Sequence, residues 1–242
     1  SIATILSSDS SFTNSISSGG GGGPSLSFPD GLIGESIVIE LTYTSGGNPF
    51  SYTVPANKNL YITSFMSYNQ NGELQINSST IFKGAGNYNI TGTNNGHFSL
   101  PIICSSGDEI SAFEADCRIV ALLVDKNVNP ISINSNYTIP SGKKLVVLNY
   151  FSDDWSGFSV DGIQVINGYF NLYSQPSLSS PPEARLSLEI PLIFDGNSSL
   201  VMTDATDLLN GYLVDENYFA NTGGGNNNSG GGGSSTNDDG FG

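Results

Sequence analysis

The chain has 242 residues, 22 of them acidic and only 7 basic, for a net charge of −15. That balance repels phosphate and excludes a basic nucleic-acid groove as the main function. The longest apolar run, Ile119 to Val124, falls far short of the ~18 residues a membrane-spanning helix needs.

In chain order, residues 1–27 are Ser- and Gly-rich, with consecutive glycines from Gly19 to Gly23. They read as a flexible N-terminal arm, because no apolar face offsets the entropy of ordering them. No basic region precedes an apolar stretch there, so no uncleaved signal peptide is expected. Ile37-Val38-Ile39 and Leu41 predict a strand, and Tyr61 to Phe65 another. Leu74-Gln75-Ile76 alternates and runs into Asn77-Ser78, a hairpin signal. Thr93 to Phe98, which holds the lone His97, reads as a polar turn, and Ile119 to Val124 as a strand buried on both faces. Leu145 to Tyr150 and Phe158 to Val160 are further strands, the latter turning at Asp161-Gly162. A single helical turn fits residues 204–210. Residues 220–242 form a Gly/Asn-rich tail. Turn signals such as Asn71-Gly72, Asn95-Gly96, Ser106-Gly107 and Asp195-Gly196 give the rhythm of sandwiches and barrels.

The chain also repeats itself. Tyr52-Thr-Val-Pro-Ala-Asn-Lys-Asn-Leu60 recurs as Tyr137-Thr-Ile-Pro-Ser-Gly-Lys-Lys-Leu145, with Asn-Pro-x-Ser upstream of both. Leu100-Pro101-Ile102-Ile103 recurs as Ile190-Pro191-Leu192-Ile193, and Leu122-Leu-Val-Asp125 as Tyr212-Leu-Val-Asp215. Anchors in the same order at near-equal spacing indicate an internal duplication. The expected fold is all-β: two tandem antiparallel β-sandwich (jelly-roll-like) units, at 28–128 and 129–219, between Gly/Ser/Asn-rich tails. Pro55, Pro101, Pro140 and Pro191 are expected at the starts of strands, where a missing N–H costs no ladder bond.

The chemical inventory is thin. A serine nucleophile would have only His97 as its base. No nucleophile elbow or phosphate loop is present, and nothing ties the carboxylates Glu109, Glu114 and Asp116 to one cleft. The chain is therefore read as a non-enzyme without a cofactor. Cys104 and Cys117 occur only in the first repeat and are either partners or free thiols. Sequons at Asn77, Asn89, Asn136, Asn197 and Asn227 matter only in a glycosylating host. The most binding-like segment holds Asp153, Asp154 and Trp155, followed by Asp161. An exposed indole would stack on a sugar ring while carboxylates accept from its hydroxyls; the same oxygens would suit Ca²⁺.

The motif at Tyr52–Ile62, echoed at Tyr137–Val147, resembles the opening of β-sandwich modules in bacteriophage structural proteins and in some bacterial surface proteins. It covers about a dozen residues per copy, and Asn57 stands where glycine is usual in that motif. Two sandwiches in tandem also resemble the double jelly-roll capsid proteins of membrane-containing phages, a resemblance that implies a trimeric capsomer. The expectation is a structural protein of a virion: a capsid, spike, fibre or decoration subunit whose partners are copies of itself and other virion proteins. The alternatives are a secreted carbohydrate-binding or adhesin module acting through the Trp155 loop, and an extracellular filament subunit.

Overall fold

The computed structural model describes residues 25–43, 50–67, 72–83, 94–152, 156–166 and 185–218. Every element among them is a β-strand, and all pairings are antiparallel. In the first half these are β1 (Gly34–Leu41), β2 (Tyr52–Thr53), β3 (Lys58–Ser67), β4 (Glu73–Ile76), β5 (Ser79–Lys83), β6 (Asn94–Cys104), β7 (Glu109–Phe113) and β8 (Cys117–Asp125). The second half has β9 (Asn129–Ile133), β10 (Tyr137–Thr138), β11 (Lys143–Phe151), β12 (Phe158–Val160), β13 (Ile163–Ile166), β14 (Arg185–Asp195), β15 (Ser199–Met202) and β16 (Leu208–Asp215).

The strands form four sheets of four, ordered β1-β8-β3-β6 and β2-β7-β4-β5 in the first half, and β9-β16-β11-β14 and β10-β15-β12-β13 in the second. The second set repeats the first, strand for strand. Apolar residues of both first-half sheets, among them Leu41, Leu60, Ile62, Phe65, Leu74, Ile110 and Ile119, share one core. Leu145, Val147, Phe158, Leu200 and Leu209 do the same in the second half. Burial of these alternating positions is the main force holding each pair of sheets together.

The repetition extends to local geometry. Lys58 N donates to Pro55 O and Lys143 N to Pro140 O, closing equivalent turns into β3 and β11. Each turn needs a left-handed residue: Asn57 (φ 61°) in the first and Gly142 (φ 72°) in the second. Asparagine tolerates that region better than other side-chain-bearing residues, so Asn57 substitutes for glycine without breaking the turn. At a later pair of such positions the exchange runs the other way, with Gly107 (φ 89°) answered by Asn197 (φ 70°). Their N–H groups donate to Val54 O and Ile139 O in turn.

Both halves also share one irregularity. The ladder between β3 and β6 jumps from Ile62↔Ile102 to Ser64↔His97, and that between β11 and β14 from Val147↔Leu192 to Asn149↔Ser187. Pro101 and Pro191 lie inside these interruptions. They do not start strands, as the sequence suggested; they sit mid-strand where the ladder is already broken and a missing N–H costs nothing. Pro55 and Pro140 do precede β3 and β11.

Three further expectations change. His97 and Asn95-Gly96 belong to β6 rather than to a turn. Residues 204–210 form no helical turn: a hydrogen-bonded loop leads directly into β16. Ile119 to Val124 is not buried on both faces throughout, since Val120 is 41% exposed while Ile119 and Ala121 face the core.

Candidate functional site

Of the four residues in the sequence-derived binding loop, Asp153, Asp154 and Trp155 lie outside the described residues. Asp161 is described, at the β12–β13 turn, with φ 52° followed by Gly162 at 78°. These paired positive values are those of a tight hairpin turn. Asp161 Oδ1 accepts from Ser199 N at 2.8 Å, and Asp161 N donates to Ser199 O at 2.9 Å. The carboxylate thus clamps its turn to β15. Asn77 does the same in the first half, accepting from Glu109 N at 3.0 Å and donating its own N–H to Glu109 O at 2.9 Å.

Beneath the two ends of the loop lies a buried polar cluster. Ser152 and Ser156, which flank residues 153–155, share a hydrogen bond of 2.7 Å between their hydroxyls. Ser156 Oγ also donates to Asp207 Oδ1, whose partner oxygen accepts from Asp204 N at 3.1 Å. Asp207 is fully buried. Beside it, burial above all pushes the Tyr150 hydroxyl well above the usual tyrosine range, the Ser156 hydroxyl opposing and the Asp207 charge adding to the rise. Asp204 accepts from both Thr206 N and Thr206 Oγ1 at 2.9 Å, and these bonds, the backbone one foremost, lower its carboxyl pKa. The cluster holds the loop's anchors in place and borders a cleft of about 260 Å³ between the halves. Ser78, Ser79 and Thr80 line its other wall.

The junction between halves is built on a pair of asparagines that sequence reasoning did not single out. Asn149 and Asn210 face each other across β11 and β16. Asn210 Oδ1 accepts from Ile103 N and Asn210 Nδ2 donates to Ile103 O, both at 2.8 Å. Asn149 Nδ2 donates to Pro101 O at 2.9 Å. β6 is an edge strand, so its outward N–H and C=O groups would otherwise be buried unpaired, a costly state. The two amides supply the missing partners. Leu100, Ile103 and Val124 of the first half then join the core of the second, and Phe151 and Leu208 join that of the first.

A strap formed by residues 25–33 seals this junction. Asp30 accepts from Tyr61 OH at 2.6 Å, Asn59 Nδ2 at 2.7 Å, Asn127 N at 2.5 Å and Val128 N at 2.9 Å. Tyr212 OH donates to Leu26 O and Tyr218 OH to Pro29 O, at 2.7 and 2.8 Å. The Phe28 ring packs at a tilt against Tyr61, with centroids 5.2 Å apart. A sequence boundary at residue 27 therefore cuts through a tied segment. Phe28 and Asp30, an apolar aromatic and an acid two residues apart, were the signal in the sequence that could have revealed it.

Cys104 and Cys117 are free, buried thiols. They pair with Leu60 and Ser67, at opposite ends of β3, which separates them by roughly 20 Å at ~3.3 Å per residue. A disulfide needs Cα atoms within ~7 Å. Burial raises both thiols, Cys104 well above its ordinary value and Cys117 to about 12, so neither offers a thiolate near neutrality. Among the described residues no group of three or more His, Cys, Asp or Glu is placed to hold a metal ion, and no helix is long and apolar enough to cross a membrane. Compared with protein-family models, curated proteins and solved structures, the chain gives no match.

Proposed function

We propose that this chain is a non-enzymatic structural subunit of a virus particle, a capsid, spike, fibre or decoration protein that assembles with copies of itself. On this reading the two halves are jelly-roll sandwiches derived by duplication. The strand order carries it. In each half the first strand pairs with the eighth, the second with the seventh, the third with the sixth and the fourth with the fifth. A long antiparallel ribbon rolled into two facing sheets has this pairing, which is the jelly-roll arrangement used by viral capsid and lectin domains. A four-bladed propeller would also have four four-stranded antiparallel sheets. Its blades, however, are built from consecutive strands, whereas every sheet here takes its strands out of sequence.

Two equivalent sandwiches locked by an amide-capped edge and a strap make a stiff block suited to repetitive assembly. Sedimentation and negative-stain imaging of the purified full chain test this reading. Oligomers or particles are expected; a monomer from micromolar to near-millimolar concentration would overturn it.

The carbohydrate-binding alternative draws support from the Ser152–Ser156–Asp207 cluster, which fixes both ends of the Trp155 loop. Trp155→Ala would then abolish glycan retention with the fold intact. A glycan array without signal removes that alternative.

A further inference from the structure

One edge strand of this chain, β6, is covered along its edge by the second half; its equivalent, β14, touches β6 yet leaves two apolar side chains exposed. Leu100 and Ile103 of β6 are 4% and 1% exposed, because they lie against the outer face of the β9-β16-β11-β14 sheet. The matching residues of β14, Ile190 and Ile193, are 75% and 46% exposed. They flank the equivalent proline, beside the equivalent ladder interruption, on a strand that is likewise at a sheet edge.

The receiving face is duplicated as well. Asn149 and Asn210, which receive β6, correspond to Ser64 and Val120, themselves partners across β3 and β8. Asn210 is fully buried, whereas Val120 is 41% exposed, with Val38 and Met66 half-buried around it.

We infer that a second copy of this chain fills both vacancies. The β14 edge of one molecule docks on the face around Val120 of the next, as β6 docks on the second half within a chain. This rests on the self-assembling role proposed above and names the surfaces through which it acts. A second copy is the fitting occupant because the chain already contains the matched pair of surfaces joined to each other once. Edge and face lie at different places on the molecule, so the contact is heterologous and generates a ring or an open chain. Its chemistry differs from that of the internal junction in one respect. Val120 offers no hydrogen bond where Asn210 offers two, so Ile190 and Ile193 meet an apolar surface there. The Ser64 hydroxyl replaces the Asn149 amide opposite the Pro191 carbonyl.

Sedimentation of Ile193→Asp, Val120→Asp and the wild-type chain tests the pairing. A charge placed on either surface is expected to weaken self-association at least ~30-fold, the scale of a lost interface hot spot. Circular dichroism melts should be unchanged, since both side chains are already exposed. Should Ile193→Asp melt earlier, Ile190→Lys repeats the edge test. An equimolar mixture of the face and edge variants should give a two-chain species and nothing larger, because one intact edge then meets one intact face. Folded variants that assemble like wild type, or a mixture that stays monomeric, overturn this interface and leave the self-assembling reading standing. A monomeric wild type overturns both.

Discussion

Asn210 illustrates how one residue type at one position decides a junction. Its amide matches the N–H and the C=O of Ile103 together, which neither an apolar nor a singly functional side chain can do. Asn210→Ala would leave both backbone groups buried without partners, at a cost of about 2–4 kcal/mol, measurable as a lower denaturant midpoint. Val120→Ala, at the equivalent but exposed position, should fall within ~0.5 kcal/mol of wild type.

The buried protonatable groups give a second residue-scale expectation. Burial raises Tyr61, Tyr150 and Tyr212 from an ordinary value of 10.0, and Cys104 and Cys117 from 9.0. Above those ordinary values the unfolded chain releases protons that the folded chain keeps. The stability they contribute is therefore complete below about pH 9 and is lost as pH rises beyond it. Urea titrations between about pH 8 and pH 10.5 should show a falling free energy of unfolding; a flat profile would mean these groups are more accessible than the fold implies.

At the scale of elements, the shared bulge in β3 and β11 distinguishes what a sequence displays from what it withholds. The two motif copies, the hairpins at Asn77-Ser78 and Asp161-Gly162, and the strand periods were legible, because turn chemistry and alternation are local properties. The fate of Leu100 and Ile190 was not. They are the same kind of residue in the same motif, yet one is buried and the other exposed, since only a partner distant in sequence decides burial. Pro101 and Pro191 misled for a related reason: a proline marks a gap in a ladder, and here the gap falls in the middle of a strand rather than at its end. His97 and Val120 were misplaced by composition alone. Of the candidate site, Asp161 was found, but its turn-clamping role depends on Ser199, 38 positions away.

Beside this shared bulge the halves are unequal in one testable way. A Cβ at Gly211 would lie 2.0 Å from the Val146 carbonyl oxygen, a contact the backbone must move to relieve. The equivalent residue in the first half is Ala121, buried without difficulty. Gly211→Ala should therefore destabilise by about 1–3 kcal/mol. The reverse change, Ala121→Gly, should cost only about 1 kcal/mol, as expected for glycine within a strand. Thermal melts of the two variants would show the asymmetry.

At the scale of the whole molecule, two halves with their own pairs of sheets suggest separate unfolding, but the cores are not separable. Each includes side chains from the other half, and Asp30 ties the strap to β3 and to the connection at Asn127 and Val128. Calorimetry should show one transition whose van't Hoff and calorimetric enthalpies agree. Two resolved transitions would mean that the junction contributes little. A chain ending at residue 128 should aggregate, because Leu100, Ile103 and Val124 would lose their cover.

The strap has a consequence for how the molecule is made. Its carbonyls at Leu26 and Pro29 wait for Tyr212 and Tyr218, 186 and 189 residues further along. During vectorial synthesis the strap meets Asn59, Tyr61, Asn127 and Val128 once the first half has emerged, and its bonds to Tyr212 and Tyr218 form last. Those two tyrosine hydroxyls therefore act as a check that the last described strand and the residues after it are in place. A chain released before residue 212 keeps its first-half sheets and the Asp30 contacts but lacks the bonds to Leu26 and Pro29.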